Sequence, residues 1–162
     1  MILRAYTIIH TLISLAGIFS GFVVLFGLVA GKRLDGWTKW FLVTTVATSI
    51  TGFGFPLHHF GAPHVVGIIS LLVLAATIYA RYPRQLTGVW RWIYVVGALI
   101  ALYLNVFVGI VQSFQKIPAL KALAPTQSEA PFKSTQLVVL ALFVVLTIVA
   151  AIRFRDRPAA TI

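Results

Sequence analysis

The sequence predicts an all-α integral membrane protein, a single bundle of about five transmembrane helices. Three observations carry that prediction. Of 162 residues, 60% are hydrophobic and only 10% are charged, against about 25% charged in a typical soluble domain. Mean hydropathy over the chain is +0.99. The apolar residues fall into runs of about 20, enough for a helix to cross a bilayer, with little chain left between the runs.

The chain reads as one transmembrane domain over residues 1–162. The first span, about 6–30, follows Arg4 and ends at Gly31-Lys32-Arg33. It is longer than the roughly 7–15 apolar residues of a cleaved leader, so it is expected to be a span. His10, Ser14, Gly17 and Gly21 follow at spacings of four, three and four and share one helical face. Gly17 and Gly21 have the spacing that lets helix backbones approach closely in lipid.

Asp35-Gly36-Trp37 makes a turn into a second span, about 40–57, which carries Thr44, Thr45, Thr48, Ser49 and Thr51. Hydroxyls of this kind bond back to their own helix or across to a neighbour. Gly52, Gly54 and Pro56 loosen its end before the polar stretch His58-His59-Phe60-Gly61-Ala62-Pro63-His64. The third span, about 64–80, stops at Arg81-Tyr82-Pro83-Arg84, where a proline and arginines mark an interface. The fourth, about 89–115, exceeds the hydrocarbon thickness, so its last turns project beyond it. Along it Gly97, Ala101, Asn105, Gly109 and Gln112 form a small-residue face that includes two amides. The loop 116–134 contains Pro118, Pro125 and Pro131. Within it Thr126-Gln127-Ser128-Glu129 has capping-box spacing, and Pro131 follows too soon for a long helix to start there. The fifth span, about 135–152, is almost wholly aliphatic and leads into a basic tail, Arg153 to Arg157.

Thirteen Lys and Arg against three acids give a formal charge of +10. The basic residues flank apolar runs as membrane helices are flanked, so they predict no nucleic-acid partner. Nine of the thirteen (Lys32, Arg33, Lys39, Arg81, Arg84, Arg91, Arg153, Arg155 and Arg157) fall on one side of a five-span topology. Arg4, Lys116, Lys121 and Lys133 fall on the other. The positive-inside rule then predicts an external N-terminus and a cytoplasmic C-terminus. Trp37, Trp40, Trp90 and Trp92 form an interfacial belt on the cytoplasmic side, and all four histidines gather at the external side. The chain has no Cys, which excludes disulfides, thiolate metal sites and cysteine nucleophiles.

The chemistry-bearing residues are few. His10, His58, His59 and His64 are candidate metal ligands, since neutral imidazole suits zinc, copper and haem iron. A b-type haem would take its axial ligands from His10 and His64, with Gly17 and Gly21 leaving room for the macrocycle. The bland alternative is that His58 and His59 are solvated and His10 bonds a neighbouring carbonyl or hydroxyl. His10, Tyr103, Asn105, Gln112 and Glu129 are candidate ligand-binding residues for a polar pocket opening to the external side. Simple bonding of Asn105 to a neighbouring helix is the competing expectation. No phosphate-binding glycine loop, carboxylate pair or nucleophile elbow is present, so the chain reads as non-catalytic.

Long literal strings carry a resemblance. Gly36-Trp37 with Phe41-Leu42, Thr44-Thr45 and Thr48-Ser49, Thr51-Gly52-Phe53 with Phe55-Pro56, and Trp90-Arg91-Trp92-Ile93-Tyr94 are part of it. So are Ala101-Leu102-Tyr103-Leu104-Asn105-Val106-Phe107 and Ala124-Pro125-Thr126-Gln127-Ser128-Glu129. The chain resembles a group of small bacterial inner-membrane proteins described as hypothetical and without an assigned activity. That resemblance implies a bacterial inner-membrane location, draws attention to Asn105 and Glu129, and implies no reaction.

Three functional readings stay open on the sequence. One is a non-catalytic accessory subunit or small-ligand-binding protein with an external-side pocket. Another is a redox protein holding haem b, copper or zinc at the histidines. The third is an oligomeric channel or carrier for a small solute. The expected partners are the lipid bilayer and either further copies of the chain or a larger membrane complex.

Overall fold

The computed structural model describes residues 1–55 and 61–155. Among them the chain forms six helices and no strand: α1 (Ile2–Val29), α2 (Asp35–Gly52), α3 (Ala62–Arg81), α4 (Val89–Lys116), α5 (Pro118–Leu123) and α6 (Ala130–Arg153). This is the all-α membrane bundle expected from the composition. α1 packs on α2, α4 and α6, α3 packs on α2 and α4, and α4 packs on α6. The five long helices alternate in direction. The start of α1 meets the end of α2 through Tyr6 and Thr51, and the end of α3 meets the start of α2 through Arg81 and Asp35. The start of α4 meets the end of α6 through Arg91 and Ala151. One end of the bundle therefore carries His10 and His64, and the other carries the four tryptophans.

α1, α3, α4 and α6 are long and apolar enough to cross a membrane. α2 is not among them: with Asp35, Lys39 and a series of Ser and Thr residues, its 18 residues are too polar on average. Some of its hydroxyls bond back within the helix, Thr44 donating to the Trp40 carbonyl at 2.7 Å and Ser49 to that of Thr45 at 2.9 Å, while Thr48 Oγ1 is buried without a hydrogen-bond partner. Such back-bonding lowers the cost of placing a hydroxyl-rich helix in an apolar setting.

Local signals set the helix ends. Gly31, at φ +69°, closes α1: its N–H donates to Leu28 and that of Lys32 to Gly27, at 3.0 and 2.8 Å. The left-handed conformation needed there suits glycine, which has no Cβ to clash. At the start of α3 the Gly61 N–H donates to His64 Nδ1 at 3.2 Å, and the His64 N–H donates to the Gly61 carbonyl at 3.0 Å. The last helix differs from the sequence expectation. Pro131 stands in the first turn of α6, which begins at Ala130 with Glu129 as N-cap. Proline is acceptable there because the first-turn N–H groups have no intrahelical acceptor, so Pro131 opens a long helix instead of preventing one.

The core lies where α1, α2 and α4 meet. Leu25, Phe41, Val95, Leu99, Ala101 and Leu102 are all but inaccessible. A Cβ on Gly21 would stand 2.5 Å from Leu102 Cδ1 and 2.9 Å from Phe41 Cε2, so both side chains pack directly onto the α1 backbone. The opposite faces of α1 and α6 present Ile8, Leu12, Phe19, Leu137, Val145 and Ile148 outward. Outward-facing apolar side chains are the expected surface of a helix in contact with lipid.

Candidate functional site

Polar side chains inside the bundle are spent mainly on joining helices. Asn105 Nδ2 donates to Thr45 Oγ1 at 3.2 Å, linking α4 to α2. A Cβ on Gly17 would lie 3.3 to 3.4 Å from Thr44 Oγ1, Thr45 Oγ1 and Asn105 Nδ2, so the glycine admits this contact beside α1. Ser49 and Ser70 share a hydrogen bond of 2.9 Å between α2 and α3. The space above Gly17 and Gly21, which a macrocycle held by His10 and His64 would need, is filled by these side chains and by Leu102 and Phe41. Asn105→Leu is expected to lower stability in detergent by about 0.6–2 kcal/mol, the usual range for an interhelical hydrogen bond. Thermal unfolding indistinguishable from wild type would show that the bond contributes nothing.

At the histidine end, His10 Nδ1 lies 2.8 Å from Thr51 Oγ1. The Thr51 hydroxyl gives its own hydrogen to the Ala47 carbonyl at 2.7 Å, so it accepts from His10 and the imidazole carries its proton on Nδ1. That tautomer leaves Nε2 as the basic atom. The Tyr6 hydroxyl donates to the Thr51 carbonyl at 2.6 Å, and Phe55 packs edge-on against both the Tyr6 and His10 rings. His64 sits at the start of α3, held by its turn and packed against Phe53 at 5.7 Å between centroids. His58 and His59 lie outside the described residues, among which no three His, Cys, Asp or Glu side chains come together.

The remaining candidates are spread over different surfaces. The Tyr103 ring packs against Phe107 and Phe143, turned toward α6 and away from Thr51. Gln112 is exposed on α4. Glu129 orders its own loop, accepting from the Thr126 hydroxyl at 2.8 Å and from the Ser128 N–H at 3.0 Å. Desolvation raises its pKa, and the hydrogen bonds from Thr126, from Ser128 and from its own N–H outweigh it, so the carboxyl lies below its ordinary value. The ordered loop closes over a hollow of about 370 Å³ lined by Phe114, Gln115, Lys121, Pro125, Thr126 and Gln127. Gln127, at φ +59°, sends its side chain back to the Val111 carbonyl at 2.9 Å. Gln112 and Glu129 border this loop, while His10 and Asn105 belong to the α1–α2–α4 contact.

The tryptophan end holds a group built around Arg81, whose sequence context, Arg81-Tyr82-Pro83-Arg84, marks only an interface. Arg81 is 4% exposed, although it ends a helix next to solvent. One guanidinium nitrogen, Nη2, donates to Asp35 Oδ1, which also accepts from Arg33 Nε at 2.8 Å. The guanidinium lies over the Tyr94 ring, 5.1 Å from its centroid, and the Tyr94 hydroxyl reaches Thr38 at 3.3 Å. The hydrogen bond from Arg33 is the chief reason the Asp35 carboxyl sits below its ordinary pKa, with the charges of Arg81 and Arg33 adding to it against partial desolvation. The sequence signal for this group was an acid standing on a face that carries nine basic residues.

The chain matches no family model, no curated protein and no solved structure.

Proposed function

We propose that this chain is a non-catalytic component of the bacterial cytoplasmic membrane, an accessory subunit or small-ligand-binding protein. Its N-terminus lies outside the cell and its C-terminus in the cytoplasm. The observation carrying the reading is the use made of polar groups within the helices. Thr45 with Asn105, Ser49 with Ser70 and His10 with Thr51 join one helix to the next. Groups tied up in this way fix the bundle and do not stand free as an acid, base and nucleophile around a common point. The hollow bounded by the 124–127 loop, with Gln115, Lys121, Thr126 and Gln127 in its lining, supplies the external surface at which a small polar ligand or a partner would be held.

Two measurements test it together. Reporter fusions at each terminus should place residue 1 outside and residue 155 inside, as the basic residues at the tryptophan end require. Native mass spectrometry of the chain extracted from its own membrane should show a stoichiometric protein or small-molecule companion above the 17.7 kDa of the bare chain. A bare chain in every preparation would overturn the accessory or binding role. A C-terminus outside would reverse the faces and place the Glu129 loop in the cytoplasm.

A further inference from the structure

We propose that the hollow between the start of α2 and the end of α3 is a phosphate-binding site, filled in the membrane by the phosphate of an anionic phospholipid headgroup. It lies at the opposite end of the bundle from the Glu129 loop and does not depend on the accessory role. The hollow has a volume of about 400 Å³ and is lined by Arg33, Asp35, Gly36, Lys39, Arg81 and Tyr82.

Arg81 is the decisive residue. Its side chain is 3% exposed, and while Nη2 is bound to Asp35, both Nε and Nη1 are buried without a hydrogen-bond acceptor. A buried guanidinium with two idle donors is costly, because each N–H has given up water and received nothing in return. A phosphate group carries several acceptor oxygens, so it can serve donors such as Nε and Nη1 that point in different directions on either side of the Asp35-bound Nη2. The first turn of α2 opens onto the same hollow, where N–H groups have no intrahelical acceptor and the helix dipole favours an anion. A Cβ on Gly36 would meet no atom within 4 Å, so there is open space beside this turn. The lining sets Lys39 beside Arg33 and Arg81, which share the Asp35 carboxylate.

Depth in the membrane selects the source of the phosphate. Trp37 and Trp40 are exposed on the same helix on either side of Lys39, and Trp90 packs against Tyr79 and Arg84 at the same end. Tryptophans mark the headgroup layer of a bilayer, which sets the hollow level with lipid phosphates. Basic pockets at the cytoplasmic ends of membrane helices recognise anionic headgroups by this combination of charge and depth.

The test uses the full-length chain in mild detergent, washed of loosely held lipid and mixed with phosphatidylglycerol, phosphatidylcholine or inorganic phosphate. Native mass spectrometry should find one phosphatidylglycerol retained in preference to phosphatidylcholine. Lys39→Gln should weaken that retention about tenfold, the loss expected for one charge-assisted hydrogen bond, and Arg81→Gln should weaken it further. Lys133→Gln, at the far end of the bundle, should bind as wild type does. A thermal midpoint that climbs with inorganic phosphate, without preference between the lipids, would keep the phosphate chemistry and overturn the lipid source. Equal retention of both lipids with no response to phosphate would overturn the proposal, as would wild-type retention in Lys39→Gln and Arg81→Gln. Should Arg81→Gln fail to fold, the exposed Lys39 position decides the matter by itself.

Discussion

Asp35→Ala is expected to destabilise the bundle by about 2–3 kcal/mol, far more than an exposed surface carboxylate normally contributes. The asymmetry of the pair is the reason. The Asp35 side chain is 66% exposed and that of Arg81 only 3%, so removing the acid strands a charge that cannot return to water without breaking the packing of α2 on α3. Solvent screening at Asp35 keeps the figure below the roughly 3–5 kcal/mol seen when both partners are buried. The double variant Asp35→Ala/Arg81→Met should recover most of the loss, because no unpaired cation is left inside. Chemical unfolding in detergent measures both, and equal stability of the single variant and wild type would show that Arg81 needs no partner.

The same pair gives a pH dependence of definite sign. The Asp35 carboxyl is held below its ordinary pKa, chiefly by the hydrogen bond from Arg33. Its contribution is therefore complete above the unfolded-chain value of about 3.9 and is lost as pH falls through the lower folded-state value. The wild type should lose stability on the acid side of that range more steeply than Asp35→Ala, which has no such proton to bind. Parallel acid profiles for the two proteins would contradict the ion pair.

Gly21→Val is the other substitution with a large expected effect, about 2–3 kcal/mol of overpacking. The first added carbon alone would stand 2.5 Å from Leu102 Cδ1 and 2.9 Å from the Phe41 ring, and both side chains are themselves packed into the centre of the bundle. Relief requires α1 to move off α2 and α4 together. Gly36→Ala supplies the contrast, since nothing lies within 4 Å of its added carbon and alanine favours helix over glycine by about 1 kcal/mol. Thermal unfolding of the two variants side by side checks the argument. Similar midpoints would mean that the contact between α1 and α4 is loose.

Much of this fold is legible in the sequence because lipid removes choices. A run such as Leu137 to Ile152 can satisfy its backbone in a bilayer only as a helix, so the existence of the span follows from composition. Pro131 was harder, since its meaning depends on whether it stands inside a helix or in its first turn, and the Glu129 cap that settles this is a three-dimensional fact. The candidate sites were less legible than the spans. Helical periodicity put Asn105 on the small-residue face of the fourth span, and the structure finds it there against Thr45 and Gly17. Periodicity does not say whether such an amide faces a pocket or another helix. Arg81 lies further beyond sequence reasoning. Its burial arises because the ends of α2, α3 and α4 converge on it through Asp35 and Tyr94, residues 46 and 13 positions away in the chain, and nothing in Arg81-Tyr82-Pro83-Arg84 announces that convergence.

The composition of α2 bears on how the protein is made. As this helix emerges from the ribosome it offers a translocation channel an acid, a lysine and a series of hydroxyls, too polar a segment to leave for lipid unaided. α1 is already at hand, joined to it by the five residues 30–34, with Gly17 and Gly21 open toward the incoming Thr44, Thr45 and Phe41. This packing predicts that the two helices enter the bilayer together as a hairpin. On that expectation the glycines of α1 serve insertion as well as packing, and Gly21→Val should lower the fraction of α2 that becomes membrane-inserted in a cell-free insertion assay.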